Sequence, residues 1–226
     1  MARFARTTGA LVLVVLSFAA APASAAPENE DYLVARPLAG QKLLLRARPG
    51  GRIVARVGRR TPFGSPLTLG VVRVHGEWLG VTTPLRPNGL LGWVRSARVQ
   101  LSSTRLSLVL DRSARRLYLK VGDRVVRRMV VAVGRPESPT PLGRFAVTDK
   151  LFSRVSYYGC CAIVLSATQP RLPRGWNGGN RVAIHGTNQP SSIGTAASAG
   201  CPRARERDLR YLLDVVPLGT PVFIRA

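Results

Sequence analysis

The sequence predicts a mostly β protein in two parts, with a single helix near the C-terminal end. Three observations carry that expectation. From Gln41 to about Thr148 the apolar residues fall in short, often alternating runs, each broken by glycine, proline or asparagine. Helical spacing appears in one stretch, where Leu209, Leu212, Leu213 and Val216 recur three and four positions apart. The chain has 226 residues, 46% of them apolar, which is enough for one large packed domain or two small ones.

Taken in order, residues 1–25 read as a secretory signal peptide. Arg3 and Arg6 precede an apolar run from Ala10 to Ala21, and Ala23-Ser24-Ala25 supplies small residues for cleavage. The run falls short of the roughly 20 apolar residues a bilayer span needs. An exported chain with no stable membrane span after cleavage is expected. Residues 26–40 read as a polar, flexible leader, with structure beginning near Gln41.

Residues 41–101 form the first part, short strands such as Leu69 to Val74 and Trp78 to Thr82. They are separated by Pro49-Gly50-Gly51, Gly58, Pro62, Gly64, Gly76 and Asn88-Gly89. His75 falls in a turn and reads as an exposed turn residue. Leu101 to Arg105 reads as a polar joint. Residues 102–226 form the second part, opening with strands at Leu106 to Leu110, Leu117 to Lys120 and Arg124 to Val133. The segment Gly134 to Gly143 is too rich in proline for a strand interior and reads as a rigid rim loop. Strands follow at Arg144 to Thr148 and Tyr157 to Ser166, then a loop from Pro170 to Asn180 and a strand through Val182 to Ile184. The helix starts with Glu206 and Asp208 in its first turn and stops at Pro217 and Gly219, and a last strand runs from Pro221 to Ile224.

Formal net charge is +23, and of 34 lysines and arginines only Lys42, Lys120 and Lys150 are lysines. Such a chain adheres to polyanions. The arginines are dispersed rather than interleaved with stacking aromatics, so nucleic acid is not the expected partner. For an exported protein, anionic cell-wall polymers are.

Two histidines and three cysteines make the chemistry-bearing residues few. Cys160 and Cys161 are adjacent, and neighbouring cysteines close only a strained ring. They are expected to be small apolar residues or a redox-sensitive pair, and they lack the spacer of zinc ligands, so no metal and no cofactor is expected. Cys201 is then the odd thiol. A cysteine attacks as thiolate and needs a base or a positive field beside it. His185 is the available base, brought to a strand end by Val182 to Ile184. The small residues Ala196 to Gly200 allow a tight turn before Cys201, and such turns gather backbone N–H groups able to hold an oxyanion.

The segments SPTPLGRF (Ser138 to Phe145), AIHGT (Ala183 to Thr187) and SAGCPR (Ser198 to Arg203), with sixteen positions from His185 to Cys201, resemble the catalytic domain of YkuD-type L,D-transpeptidases. LLRARPGG, GEWLGV and GLLGWVRS more loosely resemble a bacterial SH3-like barrel. The resemblance implies a β-rich sandwich for the second part and a thioester mechanism on peptidoglycan stem peptides. In that mechanism D-alanine is released and the acyl group passes to an amine. It implies Cys201 as nucleophile, His185 as base, and the backbone of Gly200 and Cys201 as oxyanion hole. Gly186, Thr187, Ser198 and Arg203 would support the loop or the substrate, with the Gly186 carbonyl orienting the imidazole. Two positions depart from the family pattern. Ala199 replaces a usual histidine, and Pro202 replaces a usual aliphatic residue. The alternative is a non-catalytic wall-binding protein with a degenerate transpeptidase domain.

Overall fold

The computed structural model describes Met1, residues 31–171 and residues 180–226, so the expected signal segment and most of the loop from 170 to 180 lie outside the described residues. The first part is a seven-stranded antiparallel sheet. Its strands are β1 (Tyr32–Pro37), β2 (Leu43–Arg46), β3 (Ile53–Val57), β4 (Leu69–His75), β5 (Trp78–Val81), β6 (Gly92–Arg95) and β7 (Val99–Thr104). They lie in the order β3-β2-β6-β5-β4-β1-β7. Ala35, Leu43, Leu45, Val71, Leu79, Val81 and Val94 meet in its core.

Two boundary expectations are corrected here. The supposed leader contains β1, which pairs with β4 and, along its whole length, with β7. The supposed joint at Leu101 to Arg105 is largely β7 itself. Both strands escape a periodicity reading because β7 turns exposed side chains to solvent at Gln100, Leu101, Ser102 and Ser103. Backbone pairing holds that strand in place, and it leaves no apolar pattern. His75 is exposed, as read.

The second part comprises β8 (Leu106–Asp111), β9 (Arg116–Val121), β10 (Arg124–Gly134), β11 (Gly143–Phe152), β12 (Cys161–Thr168), β13 (Arg181–His185), β14 (Ala196–Ser198), β15 (Arg203–Ala204), α1 (Glu206–Val215) and β16 (Pro221–Arg225). The strand order is β14-β10-β15-β13-β12-β11-β16-β8-β9, and β9 also pairs with β10. That pairing closes the sheet on itself, so the expected sandwich is a closed barrel-like sheet. The fold class is mostly β, as expected. Helix α1 lays Leu209 and Leu212, fully buried, into the main core, and Lys150 Nζ donates to the Leu213 carbonyl at 2.6 Å. The strand expected from Tyr157 begins only at Cys161, because Ser156–Tyr158 is a 3-10 turn ending at Gly159 with φ +61°. A Cβ on Gly159 would come within 2.8 Å of Gly186 Cα, so two glycines pack back to back beneath that turn. Cys160 and Cys161 are joined as a disulfide, which sets aside the expectation of two small apolar thiols.

The two parts share a tight seam. Asn88 Nδ2 donates to the Thr168 carbonyl at 2.6 Å and Thr168 N–H returns to Asn88 Oδ1 at 3.0 Å. Arg144 Nη2 reaches the Val71 carbonyl at 3.2 Å, and the Thr61 hydroxyl donates to Asp149. Gly70 faces Ala146, and Gly219 faces Val34 and Thr68, at spacings no Cβ would tolerate.

Candidate active site

Alternation along β13 sets the site. Val182 and Ile184 point into the core, while Arg181, Ala183 and His185 share the opposite face. His185 ends the strand and is only 1% exposed. Its backbone N–H donates to the Pro202 carbonyl at 3.1 Å, and it pairs across to Arg203 of β15. The chain therefore returns through Cys201 beside the histidine.

The imidazole Nδ1 lies 2.5 Å from the Gly186 carbonyl. A carbonyl only accepts, so Nδ1 carries the proton and Nε2 keeps a lone pair. Burial lowers the His185 pKa to about 4; the Gly186 carbonyl opposes that shift and the Arg203 charge adds to it. At neutral pH the ring is a neutral base. Tyr158 stands edge-on to it at 5.1 Å and Tyr157 is tilted at 5.9 Å.

Cys201 is a free thiol, half-buried. Ala183 N–H approaches its Sγ at 3.5 Å, and Sγ faces the Arg181 carbonyl at 3.9 Å. Burial pushes the thiol pKa up, while the Ala183 N–H and the Arg203 charge pull it down. Burial also raises the Tyr158 hydroxyl, and a charge on Cys201 would raise it further.

The turn before Cys201 has a defined build. Ser198 is buried, and its Oγ accepts the Gly200 N–H at 3.1 Å. Of the two expected oxyanion donors, Gly200 is thus already committed to Ser198. Gly200 has φ +120°, and a side chain there would strike Gln169 Nε2. Gln169 in turn donates to the Pro139 carbonyl at 2.9 Å. The proline loop therefore braces the cysteine turn from behind through Gln169.

Gly186 N–H donates to the Cys161 carbonyl at 3.2 Å, and the Thr187 hydroxyl accepts the Gln189 N–H at 3.0 Å. Arg203 is 5% exposed and spreads its guanidinium over Gln189 Oε1, Ser192 Oγ and, at 3.1 Å, the Tyr157 hydroxyl. Ala199 is half-buried and brings no polar group to the site. The seven expected site residues thus gather around one β13 end. Tyr157, Tyr158 and Gln169 join them without having been anticipated, and Arg181 begins the same strand at its other end. The tyrosine pair follows a strand and precedes Gly159-Cys160-Cys161, a cluster whose composition was its only signal.

Residues 105–224 match the family model for the YkuD L,D-transpeptidase catalytic domain. The chain belongs to that family. The YkuD protein of Bacillus licheniformis is 35% identical over 120 residues, which cover 53% of this chain and 64% of the relative. Its Bacillus subtilis counterpart is 33% identical over 111 residues, covering 49% and 60%. The chain thus spans less than two thirds of the length of these curated relatives. Among solved structures, an L,D-transpeptidase from Mycobacterium smegmatis is 20% identical with a TM-score of 0.42, covering 60% of this chain and 73% of that one. The sequence match carries the assignment. Among the described residues no helix is long and apolar enough to cross a membrane.

Proposed function

We propose that this protein is an exported cysteine acyltransferase that remodels peptidoglycan stem peptides. One observation carries the reading: a neutral imidazole, its tautomer set by the Gly186 carbonyl, ends the strand whose Ala183 N–H contacts a free half-buried thiol, in a chain of this family. The resting pair is uncharged, since burial holds the imidazole low and the thiol high. Proton transfer therefore accompanies attack. His185 Nε2 takes the Sγ proton as Sγ bonds to the carbonyl carbon next to the terminal D-alanine. The oxyanion falls to the Cys201 N–H, since the Gly200 N–H is held by Ser198. Collapse breaks the C–N bond, His185 returns its proton to the departing D-alanine amine, and a thioester remains. An acceptor amine then gives its proton to His185, attacks the thioester and releases the thiol, which recovers that proton.

Export through residues 1–25, retention on anionic wall polymers through the arginines, and an SH3-like, wall-directed role for the first part belong to the same reading. Ala199 leaves this route intact, because each proton passes through His185. Intact mass after incubation with a carbapenem tests the chemistry. The native chain is expected to gain one adduct and Cys201→Ala none, and a folded native chain that stays unmodified overturns the proposal.

A further inference from the structure

The β13 face that carries His185 continues away from it as the floor of a cleft of about 450 Å³. Register builds that floor, because Ala162 of β12 lies between Leu151 of β11 and His185, and Val164 pairs with Ala183. Ala183 belongs to both places: its N–H touches the nucleophile's sulfur and its side-chain face lines the cleft. Phe152 and Val155, both exposed, add apolar rim. Two polar residues of the lining, Arg181 and Ser153, are already engaged. Arg181 gives its donors to the Leu165 carbonyl and the Thr148 hydroxyl, and the Ser153 hydroxyl is held by its own turn.

One wall comes from the other domain. Phe63 sits at the tip of the loop between β3 and β4, half-buried, 5.9 Å from the Arg181 guanidinium. That loop is built to hold its tip in place. Arg60 bridges to Pro66, Thr61 N–H donates to the Ser65 carbonyl at 2.9 Å, Gly64 N–H to the Thr61 carbonyl at 3.0 Å, and Leu67 N–H to the Arg59 carbonyl at 2.7 Å. The Thr61 hydroxyl then anchors it to buried Asp149 on β11. Loop tips ordinarily carry small or polar residues. Here a rigid tip delivers a phenylalanine to the neighbouring domain.

We propose that Phe63 is a specificity-determining wall of the acyl-donor site, and that the cleft takes the aliphatic side chain of the residue whose carbonyl Cys201 attacks. This rests on the acyl-transfer reading above. The occupant follows from connectivity. A donor bonded to Sγ carries its own Cα one bond from the thioester carbon, so its side chain departs alongside Ala183, where the cleft begins. A mostly apolar lining, with Arg181 and Ser153 already engaged, suits methylenes better than a sugar. The first domain is thereby part of the substrate site.

The test uses the full chain, a free-amine acceptor and two donor stem peptides that differ only in the residue before D-alanine, one with a four-carbon side chain and one with a methyl group. D-Alanine release is measured. Phe63→Ala is expected to raise the donor KM about 10-fold for the long side chain, equivalent to about 1.4 kcal/mol. The methyl donor should change by less than about 2-fold, and kcat should hold within about 2-fold, as for a lost uniform-binding contact. Phe63→Trp narrows the cleft and is expected to penalise the long donor alone. Unchanged long-to-methyl ratios in both folded variants overturn the proposal, and so does an effect confined to the acceptor KM. Absence of D-alanine release by the wild-type chain would instead bring down the acyl-transfer reading itself.

Discussion

Arg181 and His185 stand four residues apart on one face of one strand, both buried, and burial pushes both toward losing a proton. Their working states are nevertheless opposite. Arg181 starts so high that lowering to about 10 leaves it charged at neutral pH. His185 starts near neutrality, so the same physics brings it to about 4 and leaves it a base. The partners follow the charge. Arg181 has acceptors for its donors and Asp149 in its field, whereas His185 has the Gly186 carbonyl at Nδ1 and keeps a lone pair at Nε2. In the proposed mechanism the Arg181 end of β13 is structural and the His185 end chemical, and desolvation serves both.

The largest break in this comparison is expected at the chemical end. His185→Asn should slow acylation of Cys201 by about 10³-fold, within the range for a lost general base, read as the rate of carbapenem adduct formation with the thermal transition retained. At the structural end, Arg181→Met should remove a positive charge that acts on Asp149 and leave the Leu165 carbonyl without its partner. We expect about 3 kcal/mol of destabilisation, as for breaking a buried charge arrangement, read as a lower denaturant midpoint. An unchanged midpoint would show that the Arg181 end is not structural.

The smallest effect sharpens the contrast through pH. The folded pKa of His185 lies below its ordinary value of 6.5, so the unfolded chain binds the proton first as pH falls. This contribution to stability is therefore complete above about pH 7 and declines between about 6.5 and 4, by about 2 kcal/mol from pH 7 to pH 5. Urea midpoints across that range should show the decline, and His185→Asn should flatten it. A wild-type midpoint that does not move over this range would mean that the ring is not held neutral by burial.

Much of this was legible in the sequence, for identifiable reasons. Strands with an apolar face, such as β4, β8 and β13, announce themselves by alternation, and α1 by its three-and-four spacing. Cys201 and His185 stand out because few other residues can do their chemistry. What escaped depends on contacts between distant segments. Four consecutive β7 side chains, Gln100 to Ser103, are exposed, and β1 is visible mainly as its partner. Gln169 matters because it lies behind Gly200, thirty-one positions along the chain. Phe63 reads as a turn residue until the seam carries it to β13. The Ser198 hydroxyl that takes the Gly200 N–H was expected through the family resemblance and not from spacing.

The seam has a consequence for the molecule as a whole. Gly70 against Ala146, and Gly219 against Val34 and Thr68, bring backbone to within a side chain's width, and Asn88 clips the end of β12. A hinge needs slack, and there is none along this line. Heat should melt the chain in one transition rather than two, and the catalytic barrel parted from its neighbour would expose a raw surface notched to fit a partner it no longer has.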